Sequence, residues 1–99
     1  MSESTAPSPA AGGLDAFLGQ EVIVDTEGNF IISGTLAELL PGWLVLTGAD
    51  VHDHRESNST REVYTMEVAK HGIRQNRKRV LIRLDGVASI SPLADVKVY

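Results

Sequence analysis

Large apolar residues first appear in a spacing that fits a helix: Leu14, Phe17 and Leu18 stand at i, i+3 and i+4, with Asp15 in the first turn and Gly19 after the last of them. An acid suits the N-terminal end of the helix dipole and a glycine suits the stop, so the spacing predicts a short N-terminal helix of one or two turns. From Gln20 the period drops to two. Val22 and Val24 alternate with Glu21, Ile23 and Asp25, and Glu27-Gly28-Asn29 follows, which predicts a strand entering a tight hairpin. The return strand covers residues 30–36, with Phe30 placed in the core and Ser33-Gly34 interrupting the apolar run. A glycine inside a strand marks a bend, a bulge or a close approach of two backbones.

Pro41-Gly42 fits the central positions of a type II turn, because proline presets the first φ and glycine accepts the positive second one. The third strand is then residues 43–47. Residues 49–60 are rich in Asp, His, Ser and Asn and read as a loop, whereas residues 62–69 alternate again, with Tyr64, Met66 and Val68 on one face of an expected strand. A basic connection over 70–78 leads to a strand at 79–84, a turn at Asp85-Gly86 and a last strand at 87–90, ahead of Pro92.

One short helix and five or six short strands form the inventory of an all-β fold, a small, strongly bent SH3-like barrel, because a sheet of this size hides its edges by curling. The 99 residues allow one domain, expected over 14–99, behind a disordered tail at 1–13 that holds Pro7, Pro9 and a glycine pair but no large apolar residue after Met1. A domain this small buries only about 60% of its unfolded surface, which favours association of copies. The chain carries neither a run of apolar residues long enough for a membrane span nor a basic, apolar start, so no membrane partner and a cytoplasmic location are expected. It has no cysteine, which excludes disulfides, thiolate metal sites and thiol nucleophiles.

The string Leu18-Gly19-Gln20-Glu21-Val22-Ile23-Val24, then Thr26-Glu27-Gly28-Asn29, Ser33-Gly34-Thr35-Leu36 and Leu44-Val45-Leu46, resembles the first sequence motif of the Sm-like proteins, the group that includes Hfq. Residues 80–92, Val-Leu-Ile-Arg-Leu-Asp-Gly-Val-Ala-Ser-Ile-Ser-Pro, look like the second. The resemblance implies a barrel that joins six or seven copies edge to edge in a ring and binds RNA about a central pore. Against that pattern, residues 49–78 read as an insertion before the second motif.

The formal charge of −4 conceals a division: residues 1–67 set two cations against eleven acids, a net −9, and residues 68–99 set seven against two, a net +5. Lys70, Arg74, Arg77, Lys78, Arg79 and Arg83 place six cations within fourteen residues with no acid among them, a composition suited to salt-dependent phosphate binding, and Trp43 and Tyr64 are the candidate base-stacking partners. The same cations also fit a surface that pairs with the acidic half of another copy. Asp50, His52 and His54 alternate so that three metal-ligand types share a strand face, but only His71 follows downstream, and no metal or other cofactor is expected. Ser57, Ser59 and Thr60 near these histidines lack the glycine-framed turn of a nucleophile elbow, so no enzyme is expected. The favoured reading is a non-catalytic, oligomeric RNA binder. The alternative is a protein–protein interaction module that binds no nucleic acid.

Overall fold

A computed structural model describes residues 13–56 and 60–98, and apart from Gly13 the expected N-terminal tail lies outside them. Five strands follow one another as β1 (Glu21–Thr26), β2 (Phe30–Leu40), β3 (Trp43–Asp53), β4 (Arg77–Arg83) and β5 (Val87–Pro92), with one helix, α1 (Arg61–His71), between β3 and β4. They form a single antiparallel sheet in the order β4-β3-β2-β1-β5, so the two last strands in sequence are its two edges.

The alternation read at Val22 and Val24 holds in β1, and the strand period divides the residues of the other strands between the two faces as well. Val22, Val24, Ile32, Leu36, Leu44, Leu46, Ala49 and Ile82 make the inner core, with Val80, Val87 and Ile90 packed against it, so side chains from all five strands meet inside one curled sheet. Leu14 and Phe17 of the N-terminal helical turn close an end of this core, while Leu18 is exposed. Gly19 ends that turn at φ +84° and donates to the Leu36 carbonyl at 2.8 Å, tying the turn to β2.

Two interior features of the strands are built as the glycines and proline imply. Gly42 has φ +80° in the turn between β2 and β3, the conformation a type II turn requires after Pro41. The β2–β3 register slips between Ser33 and Thr35, and a Cβ added to Gly34 would stand 3.1 Å from Ala49 Cβ and 3.2 Å from Leu46 Cβ. Gly34 therefore permits the close crossing of two strands that lets the sheet bend.

Residues 62–69 are helical, correcting the strand expected there. The Thr60 hydroxyl accepts the Val63 N–H at 3.1 Å, Glu62 lies in the first turn, Lys70 and His71 in the last, and Gly72, at φ 89°, ends the helix by donating to the Val68 carbonyl at 2.8 Å. Tyr64 and Val68 are four apart, a separation that puts two residues on one face of either a strand or a helix. Met66 separates the two cases: it faces away from Tyr64 and Val68 and lines a different cleft. Helix α1 packs on the outer face of the sheet, where Tyr64 and Val68 join Ile23 and Ile31 in a second core with Ile73, Leu93 and Val96.

The expected loop at 49–60 is also corrected in its first half. Residues 50–53 continue β3, with Asp50 opposite Ser33, Val51 opposite Ile32, His52 opposite Ile31 and Asp53 opposite Phe30. Polar composition misled here because one face of this extension lies under α1, where polar side chains find partners. Phe30, expected in the core, is 42% exposed at the start of β2.

Candidate nucleic-acid interface

The register of β4 settles where its cations point. Val80 and Ile82 face the inner core, so Arg77, Arg79 and Arg83 share the outer face with Leu81, and Lys78 has the inward parity but lies beyond the end of the core, exposed. Lys70 is exposed in the last turn of α1, and Arg74 is exposed in the connection at 72–76. Four of the six cations singled out thus lie on one edge strand and two precede it. Arg83 bonds Asp85 at 3.0 Å and Arg79 approaches Glu38 at 3.9 Å, but all four side chains are more than half exposed. Such pairs are worth at most about 1 kcal/mol and yield readily to a competing phosphate.

Trp43 opens β3 directly opposite Arg83 of β4, and the residue is 38% exposed. The Leu84 N–H donates to the Gly42 carbonyl at 2.9 Å, which holds the β2–β3 turn beside the end of β4. An aromatic face and a guanidinium are thereby brought together on the outer surface, with Leu81, itself 40% exposed, across from Val45 on the same face. This is a surface on which a base and a phosphate can both be met.

Tyr64 is not available for stacking on a base. It is 7% exposed, its ring stacks on His52 with centroids 4.5 Å apart, and its hydroxyl lies 2.8 Å from Ser33 Oγ and donates to Asp50 Oδ2 at 2.7 Å. Burial pushes this hydroxyl well above the ordinary tyrosine range; the Ser33 bond opposes the shift and the Asp50 carboxylate adds to it. The other Asp50 oxygen accepts from Asn76 Nδ2 at 2.8 Å, and Asn76 also accepts the Val51 N–H at 3.0 Å. Sequence reasoning missed this network, because its members come from β2, β3, α1 and the 72–76 connection.

The alternating Asp50, His52 and His54 do not act together. Asp50 is engaged by Tyr64 and Asn76, His52 stacks on Tyr64 with a buried Nε2, and His54 begins a single 3₁₀ turn past the end of β3. Among the described residues no three His, Cys, Asp or Glu side chains are grouped to hold a metal ion. Asp53 instead receives two side-chain bonds from Arg55, at 3.1 and 2.8 Å, and one from the Arg55 N–H at 3.0 Å, which bring its carboxyl down to about 2. Ser57 and Ser59 lie outside the described residues, and the Thr60 hydroxyl serves as the helix cap. No helix among the described residues is long and apolar enough to cross a membrane.

Two clefts flank α1. One, of about 510 Å³, lies over Asp50, His52, Glu67, His71, Arg74 and Asn76. The other, of about 480 Å³, opens between α1 and β5 over Ile23, Ile31, Met66, Ser89, Ser91 and Val96.

No protein-family model matches the chain, and no curated protein matches it. Its fold does match solved structures. An Sm protein of Pyrococcus abyssii, in complex with a uridine heptamer, superposes with a TM-score of 0.58 at 20% identity, over 87% of this chain and 99% of the other. The P. aerophilum SmAP1 heptamer gives 0.54 at 18% identity, over 88% and 96%. A chain of the NatC complex bound to CoA gives 0.52 at 19% identity, over 80% and 82%. The five-stranded antiparallel sheet and the short N-terminal helix are therefore those of the Sm-like fold.

Proposed function

We propose that this chain, which has the Sm-like fold, acts without catalysis as an RNA-binding protein that assembles with copies of itself in the cytoplasm. One observation carries the reading: β4 is at once a free edge of the sheet and its most basic strand, with Arg77, Lys78, Arg79 and Arg83 exposed along it and Trp43 beside it. Lys70 and Arg74 extend the same cationic tract toward α1. Two further findings support it: the P. abyssii Sm protein was solved with a uridine heptamer, and the P. aerophilum protein is a heptamer. Open edges also favour association, since their unpaired N–H and C=O groups are satisfied when sheets continue across copies.

The test is a titration of a fluorescent uridine oligonucleotide at 50 and 200 mM salt, run beside light scattering coupled to size exclusion. Four phosphates neutralised on single-stranded RNA correspond to a loss of affinity of about 50-fold between the two salts. Replacing Arg77, Lys78 and Arg79 together by Ala flattens that dependence, and the fold tolerates the change because all three are exposed. An oligomer that shows no RNA shift even at 50 mM salt establishes the alternative, an interaction module without nucleic acid.

A further inference from the structure

The cleft between α1 and β3 has polar groups on its rim and floor that nothing else in the fold engages, and we infer that it takes the guanine base of a nucleotide, free or within RNA. In RNA this deepens the reading above and rests on it. The cleft measures about 510 Å³, within the range of pockets that enclose small ligands. Part of its polar lining is committed internally: Asp50 accepts from Tyr64 and Asn76, and Asn76 also holds the Val51 N–H. The rest is not. Glu67, His71 and Arg74 are exposed along the cleft, and the side chain of none of them bonds another described residue. On the floor, His52 Nε2 is the one buried side-chain nitrogen or oxygen among the described residues that lacks a partner.

The placement follows from local geometry. Glu67 and His71 are four apart on α1 and so neighbour each other on one helix face. Gly72, at φ 89°, ends the helix, and the bonds of Asn76 to Asp50 and Val51 pin the connection that brings Arg74 to the same cleft. The Glu67 carboxylate only accepts, so it suits a base edge with two donors side by side. Guanine presents N1–H and its amine in that way, with the O6 acceptor next to them to answer His52 in its Nε2–H form. Adenine sets the lone pair of N1 beside its amine, and uracil flanks its N3–H with two carbonyls, so each turns an acceptor toward a Glu67 oxygen. His71 offers a ring on which a base stacks, and Arg74 meets the phosphate. From Arg74 the cations continue to Arg77, Lys78 and Arg79, which gives the backbone of an RNA anchored at the cleft a path onto β4.

The test titrates the full chain with GMP, AMP and UMP by calorimetry, and with three fluorescent oligonucleotides: all uridine, uridine with one central guanosine, and uridine with one central adenosine. The guanine member of each set is expected to bind about 10-fold more tightly than the others, as one bidentate base contact provides. Glu67→Gln removes that preference, because its amide turns a donor toward the guanine donors, and leaves the salt dependence of the uridine oligonucleotide in place. Glu62→Gln, at an exposed acid of the same helix that lines the other cleft, keeps the preference. Both substitutions are on the surface, and an unchanged Tm confirms that the fold is intact. Equal affinities for the three bases, or a preference that survives Glu67→Gln, overturn the pocket, and salt-dependent binding of the uridine oligonucleotide then leaves the RNA reading standing. GMP preferred by a chain that takes up no RNA assigns the pocket to the free nucleotide and overturns the RNA reading alone. A preference seen in the oligonucleotides but not the mononucleotides assigns it to RNA. A chain that binds none of the six overturns both.

Discussion

Tyr64 of α1 donates its phenolic hydrogen to Asp50 Oδ2 on β3 at 2.7 Å, and since that hydrogen is committed, the bond of 2.8 Å to Ser33 on β2 must run from the serine hydroxyl to the phenolic oxygen. One buried hydroxyl thus joins a helix to the two strands beneath it. Asp50 and Ser33 face each other across the β2–β3 pair, so the bond also reinforces the register on the side where the sheet bends.

Tyr64→Phe keeps the ring that stacks on His52 and deletes only the hydroxyl, leaving the Asp50 and Ser33 oxygens with one partner fewer. The expected loss is about 1–3 kcal/mol of unfolding free energy, read from the midpoint of denaturant unfolding. Removing Asn76 as well should be less than additive, because both side chains bond the Asp50 carboxylate.

The same hydroxyl sets a response to alkaline pH. Its value in the fold is raised by burial above the unfolded tyrosine value of about 10. The raised group stabilises the fold fully below that pH and progressively less above it, as the unfolded chain gains a tyrosinate that the fold disfavours. Between pH 9 and 11 the stability advantage of the parent over Tyr64→Phe should narrow, as followed by unfolding midpoints at stepped pH. A constant gap would contradict the assignment.

Gly34→Ala should destabilise the domain by about 1–3 kcal/mol, the usual range for overpacking. The added methyl meets Ala49 Cβ at 3.1 Å and the Ala49 Cα, a backbone atom, at 3.2 Å, so the two strands themselves must separate. Calorimetry reads the lowered Tm.

Thr60→Ala removes the side-chain acceptor of the Val63 N–H, at a cost of about 1 kcal/mol. Thr60→Ser should restore most of it. Far-ultraviolet dichroism combined with denaturant unfolding distinguishes the loss of the cap from general unfolding.

On RNA, Trp43 and Tyr64 should separate cleanly. Trp43→Ala, at a ring exposed beside Arg83, is expected to weaken binding of a uridine oligonucleotide about 10-fold, within the range for loss of one stacked base. Trp43→Phe should retain most of the affinity. Tyr64→Phe should leave affinity unchanged at temperatures where the domain is folded, because that ring faces His52 and the sheet.

What could be read from the order of residues was local. Alternation around Val22 and Val24 announced β1, and Pro41-Gly42 and Ser33-Gly34 announced a turn and a bend, because a strand period and a positive φ are properties of a few neighbouring residues. The basic tract was equally plain, since charge needs no fold to be counted. Helix α1 was hidden because Tyr64 and Val68, four apart, satisfy both periods, and only packing against Ile23 and Ile31 chooses between them. The tertiary structure alone decided that Arg77, Arg79 and Arg83 share one outer face with Leu81, that Trp43 stands beside Arg83, and that Asp50 belongs to Tyr64 rather than to a metal-ligand set with His52 and His54. Those relationships join residues up to 40 positions apart, and they arise from strand register and from the demand of buried polar groups for partners, which no local pattern records.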